Sequence, residues 1–516
     1  MREPLSAESG GTAAWRWLAG AALLACAGLV CYGGPTLLDL GFYHDDWFSL
    51  THIHFAPDTF PHRVTALAQG DVSQLFRPFD LILWPLLYSL FGLDPLPWQV
   101  LLLCVNVGIG LACAALLMRF KVPLGLALVG GLLLLSYPSK DANLFWPLNI
   151  INPLSFLFYL LGHLAFLRFT DSGSRRSLLA CGATLLLSVT TYDQTAFLPL
   201  CWLITPRLFE DGIAPRVRNA TLAAMALVAA FLCYKLLFVP HFFGVPFRKA
   251  LLLSPWHFIK TYLAGLNAQF GPRLILTVLF SAVKAAASSP LVCLAGLAIP
   301  WLCLAAGGKD EAKPRTAPAE SLVLLGAAVF FLGYLPIALS DYTPTPLNHQ
   351  NRINLAPSLG IILTGLGCAA GRVPAGRGPA VLALLASVFL TAHVWSAGVW
   401  AESYRLQCEV MELVQRRLPE WPADKTLLVR LPERYVEDKA PVFDAYWDVT
   451  GAIRLATGDV RRRAVTVSPR MRFEADRAVE PGMPDIPYKD ALILDTARGT
   501  LEPANPGALT GLPHPR

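Results

Sequence analysis

Charged residues are scarce in this chain, at 15% of its 516 positions, while apolar residues make up 54% and the mean hydropathy is +0.49. Soluble globular chains typically carry about 25% charged residues, so this composition excludes that class. The net charge of +6 is modest and is explained by Lys and Arg in loops, so it gives no reason to expect a nucleic-acid partner. We therefore expect a membrane protein.

Motifs for metal, disulfide and nucleotide chemistry are missing as well. The chain has no CxxC pair and no Cys/His spacing typical of a zinc site. Ten of its eleven cysteines lie inside apolar runs, where they act as small buried hydrophobic residues. No glycine-rich phosphate loop follows a predicted strand, which argues against a nucleotide-binding fold. The first apolar run lacks a small-residue cleavage site, so we expect it to remain as a helix.

Apolar runs long enough to cross about 30 Å of hydrocarbon recur through the first 400 residues. They predict an α-helical polytopic membrane protein with about eleven spans. The predicted spans are Ala14–Leu38, Pro97–Met118, Val122–Tyr137, Ile151–Phe169, Ser177–Thr191, Thr195–Thr205, Ala220–Pro240, Pro290–Ala306, Ser321–Ser340, Ile353–Gly371 and Ala380–Trp400. Because cytoplasmic loops are rich in Lys and Arg, the outer loops are expected at 41–78, 138–150, 241–289 and 340–352.

Three regions are not predicted to span. Phe79–Phe91 is apolar but short for a crossing, so it predicts a re-entrant or interfacial helix, and 241–289 predicts helices on the membrane surface. Residues 401–516 are polar and predict a small extracytoplasmic α/β domain after a membrane domain at 1–400. Within it we expect an amphipathic helix, two strands and a disordered end, at Glu402–Leu418, Thr426–Leu431, Ala491–Leu494 and Glu502–Arg516.

Charged and polar residues gather at the predicted outer ends of the spans, beginning with the adjacent carboxylates of Asp45 and Asp46. Two neighbouring carboxylates at a low-dielectric boundary repel each other, so such a pair usually has a partner or a task. The other members are His44, Arg77, Lys140, Asp141, Asp193, His349 and Arg352. Each of them alone fits an ordinary loop residue, but together they predict one site on the outer face.

These side chains offer two kinds of chemistry. A partly desolvated aspartate, with its pKa raised toward neutrality, can act as a general base on an incoming hydroxyl. Guanidinium groups such as those of Arg352 and Arg77 can hold a phosphate through paired hydrogen bonds. A base and a phosphate clamp at a bilayer surface suit the transfer of a group from a lipid phosphate to an acceptor hydroxyl.

Five segments, in order, resemble the GT-C superfamily of glycosyltransferases that use polyprenyl-phosphate sugars, especially its protein O-mannosyltransferase-like branch. The resemblance covers about residues 15–400. The segments are Asp45-Asp46-Trp47, Phe76–Phe79 with Phe91–Pro95, Tyr137–Ala142 with Trp146, Tyr192–Gln194 ahead of Leu198–Leu200, and Asn351–Gly360. The chain has Asp141 and Asp193 where the family more commonly has Glu, and Ile353-Asn354 where an aromatic residue is usual.

The resemblance implies a hexosyltransferase that moves a sugar from a polyprenyl-phosphate donor to a hydroxyl of a glycan, lipid or protein by one inverting displacement. Asp45 is the expected base. Asp46 is the second catalytic candidate, expected to orient Asp45, bind the acceptor or bind a metal, and a purely structural role for it is equally open. The residues expected at the donor phosphate are Arg352, Arg77, Lys140 and His349; those expected to shape the site are His44, Asp141 and Asp193. No cofactor follows from the sequence, which leaves assistance by Mg²⁺ or Mn²⁺ open.

Two other functions stay open. A transporter or flippase for a lipid-linked sugar is one, although its charges would be expected near the membrane midplane and repeat symmetry is missing. A non-catalytic membrane subunit, with 401–516 as its binding module, is the other. The Ala-, Leu-, Arg- and Pro-rich composition is typical of a high-GC bacterium, which predicts the inner membrane and a site facing the periplasm.

Overall fold

The computed structural model describes residues 8–207, 214–245, 254–307, 319–371, 377–480 and 483–505. Within these ranges, eight helical segments are long and apolar enough to cross a membrane, and three shorter apolar helices accompany them. The shorter ones are Pro78–Phe91, Leu124–Leu135 and Pro290–Ala306. A polytopic helical part followed by a small region with strands confirms the expected fold class.

The apolar runs form helices because, in hydrocarbon, each backbone N–H and C=O must be paired within its own segment. The α-helices are α1 Glu8–Cys31, α2 Asp45–His54, α3 Phe60–Gly70, α4 Pro78–Phe91, α5 Pro95–Arg119, α6 Leu124–Leu135, α7 Ala142–Phe145, α8 Ile151–Ser172, α9 Arg175–Thr191, α10 Ala214–Cys233, α11 Val239–Phe243, α12 Pro255–Phe270, α13 Pro272–Ser288, α14 Pro290–Ala306, α15 Ala319–Ala338, α16 Leu355–Gly371, α17 Arg377–Arg417 and α18 Tyr446–Thr457. The strands are β1 Thr426–Arg430, β2 Tyr435–Val436, β3 Ala440–Pro441, β4 Arg463–Thr466, β5 Arg472–Phe473, β6 Arg477–Val479, β7 Ile486–Pro487, β8 Ala491–Asp495 and β9 Thr500–Pro503.

Three predicted spans differ from the expected α-helices; the seventh, Ala220–Pro240, is interrupted by a short π-helix, Tyr234–Phe238. The first, expected to reach Leu38, ends as an α-helix at Cys31, because Gly33 and Gly34 adopt φ angles of 69° and 63°, which only glycine adopts readily. A short 3-10 helix, Gly34–Asp39, then leads toward the site. The sixth span, Thr195–Thr205, lies largely in another 3-10 helix, Leu198–Arg207.

The helix ends group into two opposite sets. At one end, Arg119 pairs with Asp171, and Arg216 donates a hydrogen bond to the Thr170 carbonyl at 3.1 Å. These residues belong to the predicted inner loops. At the other end, the Asn143 side chain donates to the Arg352 carbonyl at 2.9 Å, which joins two predicted outer loops. The distant outer segments therefore converge as the alternation of loops predicts.

The helix pair α15 and α16 brings the Arg352 segment to this end. A Cβ atom at Gly326 would lie 2.5 Å from the Gly360 carbonyl oxygen, and one at Gly360 would lie 2.5 Å from the Gly326 carbonyl oxygen. Such close backbone approach needs small residues, which is a common way for membrane helices to associate. The residues just before α16 are thereby held against the rest of the bundle.

Helices α12 and α13 occupy the stretch expected on the membrane surface. They contain 16 and 17 residues and meet at Gly271-Pro272, and together, as Pro255–Ser288, they form one of the eight segments long and apolar enough to cross a membrane. Their expected location on the membrane surface stays a prediction. One face of α13 exposes apolar side chains such as Phe280 and Val283. On another face, Lys284 pairs with Glu437 at 2.7 Å, which attaches this helix to the C-terminal region.

Helix α17 links the membrane part to the C-terminal region. Its 41 residues run through position 400, so the amphipathic helix expected at Glu402–Leu418 is the continuation of the last span. Beyond it, a four-stranded sheet has the order β4-β1-β8-β9. Strand β1 is parallel to β4 and β8, and α18 lies in the connection from β1 to β4, as parallel pairing requires.

The C-terminal strands test the remaining expectations for this region. The two strands expected from their apolar character are observed as β1 and β8. The disorder expected from Glu502 onward is wrong for Glu502 and Pro503, because both belong to β9, where Ile493 of β8 is paired with Glu502. Residues 506–516 lie outside the described residues.

Candidate active site

The two adjacent aspartates open helix α2 and face different surroundings. Both lie in its first turn, where the helix dipole favours negative charge. The preceding residue, His44, has a φ angle of 48°, which is uncommon for a residue with a side chain. Asp46 is fully buried, whereas the Asp45 side chain is 44% exposed.

Asp46 holds the outer loops together. Its Oδ1 accepts hydrogen bonds from Trp146 Nε1 at 2.7 Å and from the Leu148 N–H at 3.1 Å, and its Oδ2 accepts one from the Tyr43 N–H at 2.8 Å. Burial raises the pKa of Asp46 well above its usual range, although these three donors act against the rise. The expected direct catalytic role of Asp46 does not fit this enclosed position.

Asp45 presents a carboxylate to a cavity. Its Oδ1 accepts a hydrogen bond from Trp447 Nε1 at 2.8 Å and lies 2.8 Å from His44 Nδ1. Burial alone would raise the pKa of Asp45, but His44, the Arg352 charge and the Trp447 hydrogen bond hold it well below its usual range. The expectation of a raised pKa is therefore wrong for Asp45, which is ionised at neutral pH.

His44 completes this pair. Burial alone would lower the pKa of its imidazole, but the Asp45 carboxylate and, more weakly, Asp448 and Asp444 raise it to about 9. The ring is stacked on that of His349 at a centroid distance of 4.6 Å.

Two arginines approach the same cavity over aromatic rings. Arg77 Cζ lies 4.7 Å from the Tyr192 ring centroid, and Arg352 Cζ lies 5.1 Å from that of Trp146. Arg352 also donates to the His349 carbonyl at 3.0 Å. Stacking on rings stabilises a guanidinium group in a partly dry site while leaving N–H groups at its edge for an anion.

A cavity of about 510 Å³ connects the base candidate and both arginines. It is lined by Asp45, Phe48, Ser49, Gly70, Asp71, Val72, Ser73, Gln74, Arg77, Trp84, Trp146, Leu148, Asn149, Ile151, Tyr192, Tyr342, Arg352, Tyr446 and Trp447. This volume falls in the range of small-molecule sites, about 300–1,000 Å³. The lining combines two carboxylates, two guanidinium groups and several aromatic rings. Of the carboxylates, Asp45 begins α2, and Asp71 accepts hydrogen bonds from the Ser73 N–H at 3.0 Å and from Gln74 Nε2 at 2.8 Å.

The other predicted residues do not line this cavity. Lys140 is fully buried, and its Nζ donates to the Leu135 carbonyl at 3.1 Å, so the expected phosphate contact of Lys140 does not fit. His349 does not line the cavity, so a direct phosphate contact does not fit it either. Asp141 is buried and bonded to Asn351, and Asp193 pairs with Lys235 at 2.6 Å. These two aspartates fix the surrounding loops.

Several residues at the site were missed in the sequence. Trp447 and Asp444 lie in the polar C-terminal region, whose contact with Asp45 and His44 bridges about 400 positions of the chain. Tyr192 and Tyr342 lie in segments already singled out for their charges. Both could have been identified in the sequence, because each is an aromatic residue beside a predicted outer helix end, where a cation can stack on the ring.

A group of possible metal ligands lies beside the cavity. In the part of the chain that the structure describes, His44, His349 and Asp444 each offer one ligand atom, and these atoms lie within 4.8 Å of one another. Asp444 also pairs with Arg434 at 2.7 Å. The sequence did not identify these three residues as a group, because they come from segments far apart in the chain.

Comparisons with known proteins do not assign this chain to a family. No protein-family model matches it, and no curated protein matches it. Among solved structures, it is similar to ArnT from Cupriavidus metallidurans bound to undecaprenyl phosphate, at 16% identity over 87% of this chain and 86% of that chain, with a TM-score of 0.34. The apo state of ArnT gives 16% identity over 88% and 86%, with a TM-score of 0.38. TM-scores below 0.5 do not establish a common fold, so the question of function rests on the chemistry of the cavity.

Proposed function

We propose that this chain is a membrane glycosyltransferase of the GT-C type, which transfers a sugar from a polyprenyl-phosphate donor to an acceptor hydroxyl. The observation that carries the proposal is one cavity lined by the ionised Asp45 carboxylate and by the stacked guanidinium groups of Arg77 and Arg352. The five segments that resemble the family supply all three of these residues. The sugar and the acceptor are not specified by these features.

Asp45 is the proposed base. Its Oδ1 is engaged by His44 and Trp447, which leaves Oδ2 to receive a proton. In the proposed step the acceptor oxygen attacks the sugar C1, its proton passes to Asp45 Oδ2, and the bond from C1 to the phosphate oxygen breaks with its electron pair on the phosphate. A carboxylate with a low pKa is a weak base, so proton transfer must follow C–O bond formation, as the hydroxyl becomes acidic.

Arg77 and Arg352 are proposed to hold the donor phosphate. The phosphate gains negative charge as the sugar leaves it, and fixed cations in a partly dry site stabilise that developing charge. Guanidinium groups suit this task because they stay charged and can bind two phosphate oxygens at once. Their rings and backbone contacts hold them in place before the donor arrives.

The site is proposed to face outward from a bacterial inner membrane. The cavity lies at the end of the bundle opposite Arg119, Asp171 and Arg216, and basic residues mark the cytoplasmic side. A polyprenyl chain would remain in the bilayer while its phosphate reaches the helix ends. A transporter is less well supported, because the charged site residues gather at one end of the helices and not at mid-span.

The test begins with the donor. Lipid-linked sugars extracted from a deletion strain should show one species accumulating, and that species, isotope-labelled, is then supplied to membranes containing the full chain. We expect Asp45→Asn to lower transfer by roughly 10²- to 10⁴-fold, the usual contribution of a general base. Arg352→Lys keeps the positive charge but loses the planar guanidinium group, which can bind two phosphate oxygens at once. We expect this variant to lower kcat/KM by about 10- to 100-fold.

The matched control is Asp94→Asn. Asp94 lies in the same part of the chain, caps α5 by accepting from the Leu96 N–H at 3.1 Å, and does not line the cavity. Asparagine preserves such a cap, so transfer should stay at the wild-type level. Full transfer by the Asp45→Asn variant would eliminate the base assignment, and failure of the wild-type chain to transfer any accumulated donor would eliminate the proposed function.

A further inference from the structure

Three side chains from distant segments meet beside Asp45 without bonding one another directly. Asp444 Oδ2 lies 3.8 Å from His44 Nε2 and 4.0 Å from His349 Nδ1. Both distances exceed the 2.7–3.2 Å of an ordinary N–H···O hydrogen bond. All three side chains are largely shielded, and His44 is only 7% exposed. Two imidazoles and a carboxylate thus surround one point at the junction of the membrane part and the C-terminal region.

We propose that His44, His349 and Asp444 bind one divalent transition-metal ion of the zinc class. Imidazole nitrogen and carboxylate oxygen are ordinary zinc ligands, whereas Mg²⁺ and Ca²⁺ prefer sites made of oxygen alone. Ligand atoms about 2.0–2.2 Å from a tetrahedral zinc ion lie roughly 3.3–3.6 Å from each other. The two separations to Asp444 are longer than this by about 0.5 Å, and all three ligand atoms lie within 4.8 Å of one another, so rotation of the side chains would have to bring them closer around the ion. Three protein ligands leave the fourth position to water or another ligand.

The neighbours of these ligands are arranged as metal sites require. Asp45 Oδ1 lies 2.8 Å from His44 Nδ1, which places the other nitrogen, Nε2, toward Asp444. A carboxylate on the far nitrogen of a metal-binding histidine fixes its tautomer and orientation. Arg434 engages Asp444 Oδ1 at 2.7 Å and so leaves Oδ2 to the histidines. Tyr435 Oη lies 3.3 Å from His349 Nδ1 and would turn away when a metal binds.

The ion would join three parts of the chain. His44 precedes α2, His349 precedes the Arg352 segment, and Asp444 precedes α18. Binding of the ion would also affect the candidate active site, because a metal on His44 Nε2 fixes the imidazole that contacts Asp45. The inference does not depend on the proposed sugar transfer, because metal binding is measured without any donor.

The test measures zinc on the full chain, purified with an affinity tag that contains no histidine. The protein is stripped with a chelator, dialysed against Zn²⁺ and analysed for metal by mass spectrometry. We expect one zinc ion per wild-type chain, and at least about a 100-fold weaker affinity for His349→Gln and for Asp444→Asn. His54→Gln is the matched control, because His54 is exposed on α2, where it forms a hydrogen bond with Tyr88 at 2.7 Å, and it does not belong to the group of three ligands.

A second measurement uses Co²⁺ on the wild-type chain, so that it does not depend on the folding of any variant. X-ray absorption should show histidine nitrogen and oxygen around the cobalt ion. The proposal is overturned if the wild-type chain holds no stoichiometric zinc, if His349→Gln and Asp444→Asn retain it, or if the absorption spectrum lacks histidine. Displacement of zinc by millimolar Mg²⁺ would overturn the assignment to the zinc class.

Discussion

Asp45 and Asp46 show how strongly position decides the role of a side chain. They are neighbours in the sequence, yet Asp46 accepts three N–H groups inside the protein while Asp45 faces the cavity. The sequence could identify the pair as unusual, because adjacent carboxylates near a membrane are costly. The family resemblance assigned them different roles, but the residues alone did not, since the difference depends on contacts with Trp146 and Trp447, which are distant in the chain.

The sequence could also identify Arg77 and Arg352 as residues of the site, because of where they stand in the chain. Each stands beside a proline- or asparagine-containing turn at a predicted outer helix end, and cations at such places are rarely incidental. Lys140 fulfils the same criterion, but its side chain turns inward and donates to a backbone carbonyl. Side-chain direction is a property of the folded loop, which hydropathy and spacing do not specify.

The inward direction of Lys140 predicts a pH effect. Burial lowers its pKa from 10.5 to about 8, partly opposed by Cys31 and Asp141. Between these values the unfolded chain binds more protons than the folded chain, so the free energy of unfolding contributed by Lys140 rises with pH. We expect Lys140→Met to be more stable than wild type at pH 7 by about 1–3 kcal/mol. That difference should shrink as the pH rises toward 10.

Thermal unfolding in detergent at a series of pH values measures this difference. The exposed Lys489 is the control position, and Lys489→Met should track the wild type throughout. A stability difference for Lys140→Met that does not change with pH would show that the charge of Lys140 is not the cause.

At the scale of elements, the contact between α2 and α18 is the feature that sequence reasoning missed. The spans were predictable because each is a local run of apolar residues. Helix α18 belongs to a polar region without a catalytic motif, and only the folded chain brings its Trp447 to Asp45. The long helix α17, which continues past position 400, delivers the C-terminal region to this place.

A single glycine sets the distance between these two helices. A Cβ at Gly451 would lie 2.5 Å from the Trp47 carbonyl oxygen and 2.9 Å from the Phe48 nitrogen. Gly451→Ala should therefore push α18 away from α2, lower the free energy of unfolding by about 1–3 kcal/mol and reduce transfer. Thermal unfolding and the transfer assay measure the two effects.

Gly398→Ala is the matched control for this substitution. Gly398 lies in α17, and a Cβ there would meet no atom within 4 Å. Replacing a helical glycine with alanine in open space should leave stability unchanged or raise it by about 0.5–1 kcal/mol. If the two variants behave alike, the close contact at Gly451 does not position α18.

For the whole molecule, the proposed orientation can be tested by labelling single introduced cysteines with a membrane-impermeant maleimide. Asp58 and Arg461 have side chains 91% and 76% exposed at the end that contains the cavity, and Arg176 is exposed at the opposite end. In intact spheroplasts we expect labelling of Asp58→Cys and Arg461→Cys, and of Arg176→Cys only after lysis. The wild-type chain, with its eleven cysteines, supplies the background. The reverse pattern would place the cavity in the cytoplasm.

The 41 residues of α17 form a rod of about 60 Å, and its course has a practical consequence for dissecting the protein. A fragment cut to begin at residue 401 would start in the middle of this rod, without the turns that anchor it. It would also carry Trp447 and Asp444 away from the aspartate and histidines that they meet. Crystallisation or antibody work on the C-terminal region alone would therefore examine a surface that the intact chain keeps covered.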